Sequence, residues 1–272
     1  MNETTQADVG ADAAPRGPLH GRVIIVTGAS SGIGAATARE LARQGASVVL
    51  AARRQDELEE QVRAITGSGG QALAVPTDVT DEVQIARLVE RTVEVFGCVD
   101  VLVNNAGIGS LGWYAKANTE RIRQLVDVNL LAAMLLVRAV LPGMLERKRG
   151  VIIAVASVAG YVAIDPLYSG TKYGLRGFCL ALRRQLQGSG VAVSVVSPGY
   201  IRTSFNTGNR LPMPGPDVVA RAIARLILHP RREAIVPWYY RLAVWAEHLL
   251  PWAADAMLRP RRRGMPPRAM PS

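Results

Sequence analysis

The residues best equipped for chemistry in this 272-residue chain are Tyr168 and Lys172, which stand four apart in Tyr168-Ser169-Gly170-Thr171-Lys172. On a helix that spacing puts both side chains on one face, so a phenol and an ammonium can act on one proton. A free phenol ionises near pH ~10 and is a poor acid or base at neutrality. A neighbouring ammonium favours the phenolate, so Lys172 is expected to lower the Tyr168 pKa toward the range in which it trades protons with an alcohol or carbonyl oxygen. Tyr-x-x-x-Lys also occurs as an ordinary surface pair, so the assignment depends on what the rest of the chain builds around it.

The elements that must position this pair alternate between short apolar runs and helical periodicities, the pattern of an α/β chain with a parallel sheet. An apolar run over 22–27 ends in Gly28-Ala29-Ser30-Ser31-Gly32-Ile33-Gly34, and 35–43 has helical composition. Glycines at 28, 32 and 34 let the backbone approach a pyrophosphate, and the helix start behind them offers unpaired N–H groups. The second strand, 47–52, ends at Arg53-Arg54, with no acid where one would accept hydrogen bonds from an adenosine ribose. Arg53, alone or with Arg54, suits a 2′-phosphate and favours NADP(H) over NAD(H); a solvated pair at the start of the helix near Asp56 is the plainer alternative.

The alternation continues with a strand over 71–76 closing on Asp78-Val79, a helix over 81–96, and a buried strand over 99–103 leading to Asn104-Asn105-Ala106-Gly107. A long helix over 119–146 carries Asn129, which is unfavourable in a helix interior and needs a reason, and Pro142 is expected to bend its last turns. The fifth strand, 151–156, ends at Ser157; the helix bearing Tyr168 and Lys172 runs to Gln187; the sixth strand covers 191–196. Ser197-Pro198-Gly199 then opens a polar loop, rich in Gly and Pro, that reaches Pro216 and is long enough to serve as a lid.

Composition narrows the alternatives. Residues 1–19 read as a disordered leader with neither a basic segment nor an apolar run, so export is not expected and the chain is placed in the cytoplasm. Cys98 and Cys179 lie in apolar periodic segments, as buried free thiols do, and the three histidines have no ligand spacing, so no metal is expected. The formal charge of +10 falls to +5 without Arg259, Arg261, Arg262, Arg263 and Arg268, which crowd the last fourteen residues with no acid among them. The body of the chain is only mildly basic and lacks the aromatic-basic interleaving that grips single strands, so nucleic acid is not expected.

Laid end to end, these stretches resemble the short-chain dehydrogenase/reductase family over about residues 20–237. The glycine pattern resembles its cofactor turn, Asp78-Val79 its adenine contact, and Asn104 to Gly107 its fourth-strand motif. Asn129, Ser157, Tyr168 and Lys172 match its catalytic tetrad, while Pro198, Gly199, Ile201 and Thr203 match its nicotinamide-side segment. The resemblance implies a single Rossmann-like domain with a doubly wound parallel sheet. It implies cofactor contacts from Gly28, Ser30, Ser31, Gly32, Ile33, Gly34, Arg53, Arg54, Asp78, Val79, Asn105, Ala106 and Gly107, then Tyr168, Lys172, Pro198, Gly199, Ile201 and Thr203. It also implies that Ser157 polarises the substrate oxygen, Tyr168 exchanges its proton, Lys172 holds the nicotinamide ribose, and Asn129 supports a water-linked relay. Gly170 and Gly174 depart from the alanines often found there, and each weakens a helix by about 1 kcal/mol relative to Ala.

The expected activity is NADP(H)-dependent interconversion of a secondary alcohol and a ketone, or reduction of an aldehyde, on a lipophilic small molecule, by a homo-oligomer. A catalytically idle dinucleotide-binding sensor or scaffold is the alternative that the fold alone would allow. Trp113, Tyr114 and the 200–216 loop point to an apolar pocket. Beyond Pro237 a helical extension over 238–272 carries Trp238, Leu242, Trp245, Leu249 and Trp252 as one stripe, with Glu247 opposite, a break or restart at Pro251, and the arginine tail behind it. The stripe either packs on the domain or on a second subunit, closing the pocket, or attaches residues 238–263 to an anionic membrane surface.

Overall fold

The computed structural model of the protein describes residues 17–109, 114–203 and 213–258. The leader through residue 16, Trp113, residues 204–212 of the expected lid and the arginine tail from 259 lie outside the described residues.

Seven short strands pair in parallel in the order β3-β2-β1-β4-β5-β6-β7: β1 Val23–Thr27, β2 Ser47–Ala52, β3 Gln71–Pro76, β4 Val101–Asn104, β5 Gly150–Val155, β6 Val191–Pro198 and β7 Glu233–Val236. The central strands are buried throughout, as their unbroken apolar runs require when both faces of a parallel sheet are covered. Because side chains alternate between faces, Ile24, Val26, Val48 and Leu50 point into one core layer and Ile25 and Val49 into the other. Helices α1 (Gly32–Arg43), α2 (Gln55–Thr66) and α7 (Asp217–Leu228) cover the first face. Helices α3 (Glu82–Phe96), α5 (Ala132–Glu146) and α6 (Pro166–Gln185) cover the second. Strand order reverses between β1 and β4, and this switch point opens the crevice in which such sheets bind ligands.

Three expectations are corrected here. Leu19, assigned to the leader, is fully buried, and its N–H donates to the Gln44 carbonyl at 3.0 Å, so the ordered fold begins before residue 20. The helix over 119–146 is three pieces in line: α4 (Thr119–Val126), a π-helical turn Asp127–Leu131, and α5. Asn129 sits in that π turn, which is the reason such a residue is tolerated there. Strand β7 and helix α7, which have no motif, were not expected individually. The 28-residue stretch Thr119–Glu146 is long and apolar enough to cross a membrane. It packs instead along α3, α6 and the β4–β5 side of the sheet.

After β7, α8 (Tyr240–Leu249) and α9 (Pro251–Leu258) form the described part of the extension, and Pro251 restarts the helix as expected. Their stripe does not pack on the domain. Trp238, Leu242, Trp245, Leu249 and Trp252 are 71%, 62%, 64%, 74% and 71% exposed, while Val244, on the other side of α8, is buried.

Candidate active site

The carboxyl ends of β1, β4, β5 and β6 meet at a cavity of about 420 Å³. Its polar end is built from the first turn. Thr27 closes β1 fully buried, and its hydroxyl accepts from the N–H groups of Asn105 and Ala106, both at 3.0 Å. The Asn105 side-chain amide donates to the Thr27 carbonyl at 2.8 Å and to that of Gly28 at 3.3 Å. The Asn104-to-Gly107 segment is therefore a clamp that locks the end of β4 to the glycine turn.

At Gly28 and Gly34 that turn has no room for a Cβ. A Cβ on Gly28 would lie 3.0 Å from the Ala106 Cα, and one on Gly34 would lie 2.2 Å from the Gly28 carbonyl oxygen. Gly28 and Gly32 also adopt left-handed backbone, with φ of 65° and 57°. Ser31 caps α1 without any side-chain hydrogen bond to its first turn, which leaves the N–H donors of a 12-residue helix facing the cavity end. A cradle lined by backbone donors and stripped of Cβ atoms fits a pyrophosphate.

At the end of β2 the two arginines part company. Arg54 donates to the hydroxyls of Ser30 and Ser31 at 2.9 and 3.0 Å and pairs with Glu57 at 3.0 Å, so its guanidinium stands over the turn. Arg53 is exposed and makes no hydrogen bond or ion pair with the described residues. Beyond β3, Asp78 accepts from the Thr80 N–H and hydroxyl at 2.9 and 2.7 Å, and Val79 is buried in the core. Arg53, Arg54, Asp78 and Val79 lie at the β2–β3 end of the sheet edge, beyond the lining of the cavity itself.

The other end carries the proton-handling groups. Ser157 follows β5 and accepts from the Ala159 N–H at 3.1 Å. Asp165 caps α6 by accepting from the Tyr168 N–H at 2.8 Å, which fixes the first turn and sets Tyr168 against the cavity that Ser157 also lines. One turn on, Lys172 is buried and its Nζ donates to the Val155 carbonyl at 3.1 Å, 5.7 Å from the centre of the Tyr168 ring.

Burial pushes the Tyr168 phenol up, the hydrogen bond with Ser157 pulls it down, and Asp165 raises it. Burial drives Lys172 itself down to about 8. That value leaves Lys172 mainly an ammonium at neutral pH, held by the Val155 carbonyl one helical turn from Tyr168.

Asn129 reaches the same place from the π turn. Its Oδ1 accepts from the Ile108 N–H at 2.8 Å, and its amide donates to the Ile108 carbonyl at 2.9 Å and the Thr171 hydroxyl at 3.2 Å. The space above Gly107 is bounded by Asn129 Oδ1 and Lys172 Nζ, 3.3 and 3.5 Å from where a Cβ would stand. The π turn also brings Leu130 to 3.1 Å from the position a Gly174 Cβ would occupy. A side chain at 174 would press on Leu130, whereas Gly170 faces open space.

Pro198, Gly199, Ile201 and Thr203 line the cavity as expected, with Thr203 against Gly32. Tyr114 is exposed on a short 3₁₀ turn and does not line it. Sequence reasoning missed the outer wall: Tyr240, Ala243 and Leu258 from α8 and α9, with Val162 and Ile164 from the β5–α6 connection. The Tyr240 hydroxyl accepts from the Tyr200 N–H at 3.2 Å, and its ring fills the space that a Gly199 side chain would need. The available signal was the second face of α8, since 240, 243, 244 and 247 recur at helical spacing opposite the tryptophans.

The short chain dehydrogenase family model matches residues 22–213. The chain is 40% identical over 227 residues to the ketoacyl reductase HetN of a Nostoc species, covering 80% of this chain and 79% of that one. A metagenomic short-chain oxidoreductase solved in complex with NADP superposes with a TM-score of 0.71 at 36% identity, covering 80% of this chain and 97% of that one. A variant of actinorhodin polyketide ketoreductase solved with NADPH gives a TM-score of 0.75 at 31% identity, covering 79% and 95%. A family match across most of the chain, carried on a parallel sheet with a glycine cradle at its switch point, identifies this oxidoreductase as a member of the short-chain dehydrogenase family.

Proposed function

We propose that the protein is an NADP(H)-dependent reductase of ketones or aldehydes, and a dehydrogenase of the corresponding alcohols, acting on substrates with an apolar body. The observation that carries this reading is that Ser157, Tyr168 and Lys172 line one wall of a largely apolar cavity that runs on to the glycine cradle. Gly28 to Gly34 would hold the pyrophosphate, Arg54 with Arg53 the 2′-phosphate, and Lys172 the nicotinamide ribose. When bound there, the reduced nicotinamide supplies a hydride to the carbonyl carbon.

The chain's own groups supply the rest. Ser157 and Tyr168 offer two hydroxyl donors to the carbonyl oxygen, whose negative charge grows as the bond order falls. Tyr168 Oη gives its proton to that oxygen, and in the reverse direction takes it back. A phenol held up by burial keeps its proton until substrate demands it, which suits the acid role. Lys172, with a pKa of about 8, is mainly an ammonium at neutral pH and supports the phenolate left behind. Asn129, with its amide committed to Ile108 and Thr171, positions the cavity floor from the π turn and borders the space through which a water-linked relay to Lys172 would run.

The exposed apolar residues Val126, Leu131 and Leu145 along α4 and α5 support a homo-oligomer that covers that face. The chain is read as cytoplasmic. The test is oxidation of NADPH and NADH against a panel of ketones and aldehydes graded by apolar size. Turnover that prefers NADPH and rises with apolar size is expected; cofactor binding without turnover on any member would instead leave an idle binding module.

A further inference from the structure

We infer that the outer face of α8 and α9 is a docking surface for an anionic lipid headgroup layer. Trp238, Leu242, Trp245, Leu249 and Trp252 form one exposed stripe, each at least 62% exposed. Three tryptophans in that state make an apolar patch on the order of several hundred Å², as large as the largest patches that ordinary monomers carry.

The orientation of α8 is the second observation. Its one acid, Glu247, is turned toward the domain: burial and then the charge of Glu247 raise the Tyr173 phenol of α6. Tyr240 and Val244 share that inner side. A surface helix ordinarily buries its apolar stripe and exposes its charges. Here the apolar stripe faces out, and the exposed polar residues beside it are Arg241 and His248, which flank it without interrupting it.

Charge selects the occupant. Asp255 is the one exposed acid on the two helices, and Arg259, Arg261, Arg262, Arg263 and Arg268 follow with no acid among them. A second copy of this chain would bring more arginine charge of the same sign from 259–268, where no acid offsets it. Anionic headgroups would neutralise that charge while the tryptophan rings occupy the interfacial layer in which such amphipathic rings are stable. Because Tyr240, Ala243 and Leu258 of the same helices line the cavity, docking would set the cavity's outer wall beside the bilayer.

The test is co-sedimentation of the full chain with vesicles of phosphatidylcholine alone and of equal parts phosphatidylcholine and phosphatidylglycerol, at low and high salt. Binding to the mixed vesicles at low salt, weakened by salt, is expected. Replacing Arg261, Arg262 and Arg263 with Gln should weaken it on the order of 100-fold, and Trp245→Glu with Leu249→Glu should abolish it. Neither change should alter turnover of a water-soluble carbonyl. Absence of binding to anionic vesicles at low salt would overturn the inference, as would a glutamate variant that turns a dimer into a monomer and leaves vesicle binding intact. Sedimentation does not depend on turnover, so failure of the proposed activity would leave this result readable.

Discussion

The floor of the cavity is tied together by buried hydrogen bonds between strands and helices distant in sequence, whereas its outer wall rests chiefly on one tyrosine ring and one buried valine. On the floor, Thr27, Gly28, Asn105 and Ala106 share four contacts of 2.8 to 3.3 Å, and Asn129 joins α6 to the loop after β4. On the wall, Tyr240 meets Gly199 and Tyr200, and Val244 supplies the buried packing of α8. Buried polar clamps are costly to break because each lost partner leaves another group unsatisfied, so the floor holds reacting atoms in register. A helix held by few contacts can change what it admits without disturbing that register.

The largest effect should come from the floor. Tyr168→Phe removes only the proton donor and is expected to lower kcat by about 10²- to 10⁴-fold while NADPH binding and circular dichroism stay as in the wild type. Near-normal turnover would break the assignment of the proton to Tyr168.

Lys172 tests whether this floor carries stored cost. Its pKa of about 8 in the fold lies below the 10.5 of the free side chain, so at neutral pH the fold bears the charged form at a cost of about 3 kcal/mol. Between pH 8 and 10 the unfolded chain binds more protons at this residue, so its contribution to stability rises with pH. Cys179, raised to about 12, opposes this above its ordinary 9, as does Tyr168 above 10. The lysine is therefore read from the difference between two proteins. Lys172→Met should be the more stable without cofactor at pH 7, though inactive, and its advantage in urea unfolding should shrink toward pH 10. An advantage that did not change with pH would point to packing alone.

Between floor and wall lie the arginines of β2. Arg54→Ala should weaken NADPH binding roughly 10-fold or more, as loss of a charge-assisted pair does, and leave NADH binding nearly unchanged. If Arg53→Ala has the larger effect, the hydrogen bonds of Arg54 to Ser30 and Ser31 serve the turn rather than the phosphate.

The smallest effect belongs to the wall. Tyr240→Ala should shift KM for bulky apolar carbonyls by roughly 3- to 10-fold while kcat on a small one stays close to the wild type. A collapse of kcat on all substrates would show that wall and floor are one unit after all.

The sequence by itself determined the alternation of strand and helix, the glycine turn and the Tyr168–Lys172 pairing. These follow from periodicity, from φ and Cβ constraints and from a four-residue helical spacing, all local properties. The clamp of Asn105 on Thr27 was legible as a motif but not as a mechanism, because its partners stand 78 residues apart. Tertiary structure alone decided that Arg54 rather than Arg53 covers the turn and that Asn129 lies in a π turn. It also decided that Lys172 faces a carbonyl and loses proton affinity, and that the tryptophan stripe looks outward. Each of these depends on burial and on which distant groups arrive at one point, and a helical or strand period carries neither. The stripe is the plainest instance: spacing showed that Trp238 to Trp252 share a face, and only the seating of Tyr240 on Gly199, with Glu247 near Tyr173, fixed which way that face turns.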